Sequence, residues 1–206
     1  MTTSSNPDLL LLIGAGIAAA VFVALGLTFA RKPFAFVDHI GSRAAGVAVP
    51  VAVVFTRSGY SRELTVLAVA GTLLALLLRT NLVMPLLLIA FQLLGQITAN
   101  GMKHLVARMR PEVWHFRHEL GFAYPSGHAV TAIVFYLGWP LLIISQWPVP
   151  PEYRLALLAA SIVWALGIGW SRLSLGAHRL TDVLGGYALG IAWLCVLLAF
   201  RTVIGA

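Results

Sequence analysis

The chain has 206 residues, 60% of them hydrophobic and only 10% charged, with a mean hydropathy of +0.91. A soluble domain carries about 25% charged residues, so a soluble protein is excluded and an integral membrane protein is expected. A net charge of +7 would suggest nucleic acid in a soluble protein. Here the basic residues sit in short loops beside apolar runs, which points to lipid headgroups or a phosphorylated substrate and to no nucleic acid.

The apolar runs do not alternate, so helices rather than a barrel are expected to satisfy the backbone in lipid. Residues 1–8 are a short polar tail without Lys or Arg, and a first run continues from Asp8 to about Ala30, ending at Arg31-Lys32-Pro33. It is long and has no basic stretch before it, which reads as a retained span rather than a cleaved signal peptide. Residues 34–62 are mixed: Val47 to Phe55 is too short to cross, contains Pro50, and is flanked by Asp38, His39, Arg43, Arg57 and Arg62. Short helices at the interface are expected, with one more short span as the alternative. Leu64 to Leu78 is a second span, Arg79-Thr80-Asn81 a tight turn, and Leu82 to about Ala99 a third span. Gln92, Gln96, Asn100 and His104 are spaced by four. Amides facing lipid would go unpaired, so this row faces the bundle interior as glue between helices.

Ala129 to Ser145 is a fourth span, and Trp147, Pro148, Pro150, Pro151 and Tyr153 make a turn with interfacial aromatics. Leu155 to Trp170 is a fifth span and Val183 to Phe200 a sixth; Gly186 and Gly190 in the sixth suit a close helix–helix contact. The expected architecture is all-α: a polytopic bundle of six transmembrane helices, with short interfacial helices between spans one and two. Residues 1–206 then form a single membrane-embedded domain. Cys195 is the only cysteine, so no internal disulfide is possible. Six spans put both termini on one side and the loops after spans one, three and five on the other.

Those loops hold the chemistry in three patches: Lys103-x6-Arg110-Pro111, Pro125-Ser126-Gly127-His128 and Ser171-Arg172-x5-His178-x3-Asp182. His178 and Asp182 share one face if helix has begun by His178. A carboxylate on one ring nitrogen fixes the tautomer and leaves the other nitrogen free to attack. Lys103, Arg110 and Arg172 suit a tetrahedral dianion. Pro125 and Ser126 read as a helix start with Ser126 as cap, which turns the N–H groups of Gly127 and His128 toward an anion. His128 sits beside that site, where it can give a proton to a departing oxygen.

The acidic residues number seven and form no cluster suited to magnesium. His104, His115 and His118 look like metal ligands but have no carboxylate partner at their spacing, and are read as polar loop residues. Arg117 and Glu119 either shape the entrance or pair with each other, and Trp114 and Phe116 belong at headgroup level. A metal-free phosphoryl transfer through a phosphohistidine, without a cofactor, fits these parts.

The three patches resemble the signatures of the type 2 phosphatidic acid phosphatase (PAP2) superfamily: K-x6-RP, PSGH and SR-x5-H-x3-D. All three are complete here, in the family's order and spacing, within residues 103–182; the six-span layout extends the likeness over nearly the whole chain. The resemblance implies that Lys103, Arg110, Arg172, Ser126 and the Gly127 amide bind phosphate. It implies His178 as nucleophile, His128 as general acid and Asp182 as the orienting carboxylate, with no metal.

The implied partners are the bilayer and a lipid phosphate or diphosphate: undecaprenyl diphosphate, phosphatidylglycerol phosphate, phosphatidate or a lipid A phosphate. Phosphotransfer between lipids, a vanadate-dependent oxidase and a non-catalytic channel are the alternatives, and the oligomeric state is left open. The family also implies a bacterial inner-membrane protein with its site facing the periplasm and its termini cytoplasmic. The positive-inside rule opposes this, because eleven Lys and Arg residues lie on the motif face and three (Arg79, Arg154, Arg201) on the other.

Overall fold

The computed structural model describes residues 7–29 and 36–203. Among them the secondary structure is helical throughout: α1 (Pro7–Thr28), α2 (Phe36–Ser42), α3 (Val49–Ser58), α4 (Ser61–Leu77), α5 (Val83–Val106), α6 (Gly127–Gln146), α7 (Pro151–Ser174) and α8 (Leu180–Val203). The expected tail 1–6 and the Arg31-Lys32-Pro33 stop lie outside the described residues.

Five of these helices, α1, α5, α6, α7 and α8, are long and apolar enough to cross a membrane. The expected second span, α4, has 17 residues and meets α3 at a bend of 52°, and the pair together passes the same test. Within residues 36–62, α3 thus belongs with α4 to a bent pair that is a broken span or a re-entrant loop by length and composition. It is continued by α4 across Gly59 and Tyr60, and Gly59 ends α3 by closing its N–H onto the Thr56 and Arg57 carbonyls.

α6 and α8 form the centre. α6 packs against α5, α7 and α8, while α8 also packs against α1 and α5. Lipid is as apolar as leucine, so such helices are held by close packing rather than by hydrophobic burial. Small residues supply that closeness. A Cβ on Gly186 would lie 2.5 Å from the Ser126 carbonyl oxygen, and one on Gly190 2.8 Å from Ile133 Cβ. The expected small-residue contact is thus made between α8 and α6. On α1, Ala15, Ala18, Phe22 and Gly26 form the buried stripe, at the helical spacing that keeps one face inward. Leu9, Ile13, Ile17 and Leu27 on its other sides stay exposed, as a lipid-facing surface requires. Tyr124 donates to the Phe22 carbonyl at 2.5 Å and so ties the segment before α6 to α1.

Two chain reversals place the site. α5 ends where Ala107 turns left-handed, and residues 107–126 then run without helix to α6. α7 ends ahead of Gly176, whose φ of +72° is left-handed and whose added Cβ would strike the Val113 carbonyl at 2.1 Å. The 107–126 segment crosses the 175–179 turn there, and the His115 N–H donates to the Leu175 carbonyl at 3.1 Å.

Candidate active site

The C-terminal ends of α5 and α7 meet the N-terminal ends of α6 and α8 at one end of the bundle, and the three sequence patches come together there. His178 is 4% exposed in the 175–179 turn. α8 begins only at Leu180, so His178 and Asp182 do not share a helical face as expected. The left-handed turn at Gly176 leaves His178 just ahead of the helix, and Asp182 in its first turn. The Arg179 N–H donates to Asp182 Oδ2 at 2.8 Å, and that oxygen stands 3.7 Å from His178 Nδ1, beyond hydrogen-bond length. Such contacts are often long before substrate binds.

The other ring nitrogen, Nε2, lies 3.2 Å from Arg110 Nη1. A guanidinium only donates, so Nε2 is the accepting nitrogen and the neutral ring carries its proton on Nδ1, toward Asp182. Burial lowers the pKa of His178 to about 4; Asp182 opposes the shift, and the charges of Arg172 and Arg110 add to it. The ring is thus neutral well above pH 4, with the Nε2 lone pair turned to Arg110.

Asp182 has a second partner that the motif reading missed. Arg108 Nη1 donates to Asp182 Oδ1 at 2.5 Å, and Arg108 Nη2 meets Asp38 Oδ2 at 2.6 Å. Asp38 on α2 in turn accepts the Thr181 N–H at 3.0 Å and its hydroxyl at 2.7 Å. All three charged side chains are at most 3% exposed. Burial pushes the Arg108 pKa down, but the two carboxylates outweigh it and raise it. The available signal was scarcity. Arg108 is a charge inside the x6 gap, and Asp38 is one of only seven acidic residues, yet spacing alone assigned it to the interface.

Lys103, on the last turn of α5, lies 3.3 Å from Asn100 Oδ1, and its ammonium is 3.7 Å from where a Cβ on Gly127 would sit. Arg110 is pinned by donating to the Ala177 and Gly121 carbonyls, each at 3.0 Å. Arg172 donates to Thr56 Oγ1 and to the carboxylate of Glu119. The other oxygen of Glu119 is 3.4 Å from Arg110. Glu119 therefore pairs with two of the expected phosphate ligands, while Arg117 lies over the Tyr60 ring at 5.5 Å. Burial pushes the Glu119 carboxyl up, but the charge and hydrogen bond of Arg172, helped by His178 and Arg110, hold it below the usual carboxylate range.

Ser126 occupies the N-cap position of α6 without capping it: its Oγ has no hydrogen-bond partner among the described residues, and its N–H donates instead to the Asp182 carbonyl at 2.9 Å. His128 stands edge-on to Tyr60 at 5.1 Å, and its Nε2 has no hydrogen-bond partner among the described residues. Gly59 makes room for it, since a Cβ there would come within 2.6 Å of the ring.

Lys103, Arg110, Glu119, Gly127, His128 and His178 wall the head of a cavity of about 640 Å³. Its body runs between α4 and α5 past Leu64, Ala68, Ile89 and Leu93. The polar row of α5 serves both purposes here. Gln92 and Gln96 bond Thr131 of α6, and with Asn100 they line the cavity. His104 leaves the row and stacks edge-on to Phe122 at 5.8 Å. His118 lies on Trp114 at 4.6 Å. Among the described residues no three His, Cys, Asp or Glu side chains converge as a metal site would require.

This is an integral membrane protein with a cavity at one end of a helical bundle, its head walled by Lys103 and Arg110. The chain belongs to the PAP2 superfamily, whose model matches residues 82–205. It is 33% identical to phosphatidylglycerophosphatase B of Bacillus subtilis over 90 residues, covering 44% of each chain. It is 34% identical to lipid A 1-phosphatase of Rhizobium johnstonii over 113 residues, 50% of this chain and 41% of the relative. The matches thus span less than half the length of these curated relatives. The fold is similar to the crystal structure of a transmembrane PAP2 type phosphatidylglycerolphosphate phosphatase from Bacillus subtilis, with a TM-score of 0.79 and 25% identity, covering 92% of this chain and 96% of that one.

Proposed function

We propose that this chain is a lipid phosphatase that works through a phosphohistidine on His178. The observation that carries the reading is the orientation of that ring. Its Nε2 faces the Arg110 guanidinium at the head of the cavity, while its Nδ1 faces Asp182, which assigns the proton to Nδ1. In this reading Lys103, Arg110 and Arg172 hold the phosphate oxygens, with Ser126 and the Gly127 amide beside them. His178 Nε2 attacks phosphorus, the N–P bond forming as the P–O bond to the lipid breaks. His128 gives its proton to the leaving lipid oxygen. Water then attacks the phosphohistidine, His128 takes a proton from it, the N–P bond breaks, and inorganic phosphate leaves. The cations stabilise charge on the equatorial oxygens, as is usual in phosphoryl transfer, and removing one costs about 10²–10³ in rate by analogy with oxyanion donors.

The apolar body of the cavity between α4 and α5 suits a lipid tail, with the phosphate at its polar head. The bent α3–α4 pair then counts as one span, which gives six, with the whole chain as one domain. A lipid phosphate such as phosphatidylglycerol phosphate, a lipid A phosphate or undecaprenyl diphosphate has the required chemistry, and the first two are supported by the relatives. The test is phosphate release by the purified chain in detergent with excess chelator, across a panel of these lipids and phosphatidate, beside His178→Ala. Chelator-resistant release that is lost in the variant is expected. Release that stops with chelator, or that survives in His178→Ala, overturns the phosphohistidine reading.

A further inference from the structure

Arg117 also lines the cavity, yet it lies outside the three signature patches and the steps above give it no task. Its neighbour Glu119 is taken up by Arg172 and Arg110, and among the described residues no carboxylate pairs with Arg117. Its guanidinium instead lies over the Tyr60 ring, 5.5 Å from the centroid. Stacking of this kind uses the face of the guanidinium and leaves the N–H groups on its edge able to donate.

Tyr60 decides where those donors stand. Its ring is edge-on to His128 at 5.1 Å, so a single aromatic ring separates the expected proton donor from the guanidinium. Tyr60 is also the N-cap residue of α4, whose Leu64 and Ala68 line the apolar body of the cavity. A lipid with its reacting phosphate at the head and its tail along α4 therefore runs from His128 past Tyr60. The atoms that pass there are those next to the departing oxygen, which belong to the leaving group. A cation held at that point suits an anion that the leaving group carries. A phosphodiester fits it, with one charge and two unesterified oxygens that a guanidinium can meet with two parallel N–H bonds. A leaving group that is an uncharged alcohol gives it no partner.

We propose that Arg117 is a specificity-determining residue: stacked on Tyr60, it takes a second phosphate carried by the leaving group, and so favours lipids with two phosphates over lipids with one. The proposal rests on the phosphatase reading for the side of the reacting phosphate that His128 marks, but its test reads binding without turnover. The purified full chain carrying His178→Ala is titrated calorimetrically in uncharged detergent with two lipids. One is dihexanoyl phosphatidylglycerol phosphate, whose leaving group holds a phosphodiester; the other is dihexanoyl phosphatidate, whose leaving group holds none. The first is expected to bind more tightly by about tenfold, the low end of what a hydrogen bond to a charged group contributes. Adding Arg117→Gln is expected to remove most of that preference. Phosphatidate should weaken by less than about twofold, because Arg117 is exposed and water screens it from the monoester at the head. Equal affinity for the two lipids overturns the proposal, even if the double variant fails to fold, and so does a preference that survives Arg117→Gln. An arginine that only anchors its loop to headgroups, or only supports the fold, would weaken both lipids alike and leave their ratio unchanged, which also overturns it. A wild-type chain that releases no phosphate from any lipid would sink the phosphatase reading, while the binding ratio would still decide this one.

Discussion

Both oxygens of Asp182 already accept a hydrogen bond, one from Arg108 and one from the Arg179 N–H. That fixes what Asp182→Asn would do. Arg108 is a charged, buried donor, so the amide oxygen must face it and the amide NH2 must turn toward His178. The ring then presents its lone pair to the amide and its proton at Nε2, the wrong tautomer for attack. We expect folded protein with kcat lower by roughly 10⁴, the loss seen when an orienting carboxylate is amidated in a catalytic triad; a loss under tenfold in single-turnover assays would mean that Asp182 does not set the tautomer. The same burial gives a pH signature. The folded chain holds His178 near pKa 4, while in the unfolded chain it titrates near its ordinary 6.5. Between those values the unfolded state binds the extra proton, so stability falls as pH drops from 6.5 toward 4. His178→Asn should flatten that part of the thermal-stability curve. Parallel curves for wild type and variant would show that the histidine is not buried as described.

At the scale of elements, the contact between α6 and α8 fixes the distance from His128 to His178, because each helix carries one side of the site at its N-terminal end. Ser126 and Asp182 are joined through the backbone there, and Gly186 sits one turn on, against the Ser126 carbonyl. Gly186→Leu forces the helices apart where backbone rather than a pliant side chain is struck. Overpacking of that kind costs about 1–3 kcal/mol, so a lower melting temperature is expected, together with a fall in kcat; an unchanged melting temperature would contradict the contact. This pair was legible in the sequence as a small-residue spacing, as were the apolar runs and the three signature patches, because each is a local pattern. The partners of Arg108, Glu119 and Arg172 were not. Arg108 meets Asp38 and Asp182 across 70 and 74 residues, and Arg172 meets Thr56 across 116. No periodicity encodes which of several scarce charges will pair after the chain has folded back. The joining of α3 to α4 was legible only as an alternative for a related reason, since Pro50 and the flanking arginines read as breaks.

At the scale of the whole molecule, charge and family resemblance point to opposite faces of the membrane for the site. The sequence count of eleven basic residues against three argues for the cytoplasm, but the structure changes what that count means. Lys103, Arg110 and Arg117 line the cavity, Arg172 is sealed behind Glu119, Arg108 is neutralised between two carboxylates, and Arg179 donates to the Met109 carbonyl. Among the described residues, Arg43, Arg57 and Arg62 are left outside the cavity lining on that face, against Arg79, Arg154 and Arg201. The rule rests on loop charges that resist translocation, and charges committed to a folded anion site have another cause. Even with Arg31 and Lys32 of the sequence added, five against three is too weak a bias to outweigh a resemblance that implies a site outside the cytoplasm. Leu120, 87% exposed beside the site, is a suitable reporter, because the lone native thiol, Cys195, lies within α8 and can be removed as Cys195→Ala. In that background Leu120→Cys should react with a membrane-impermeant maleimide in intact spheroplasts, and Tyr153→Cys, at the start of α7 on the opposite face and 64% exposed, only after lysis. The reverse pattern would put the site in the cytoplasm, restore the charge count as the better guide, and require the lipid phosphate to be met in the inner leaflet.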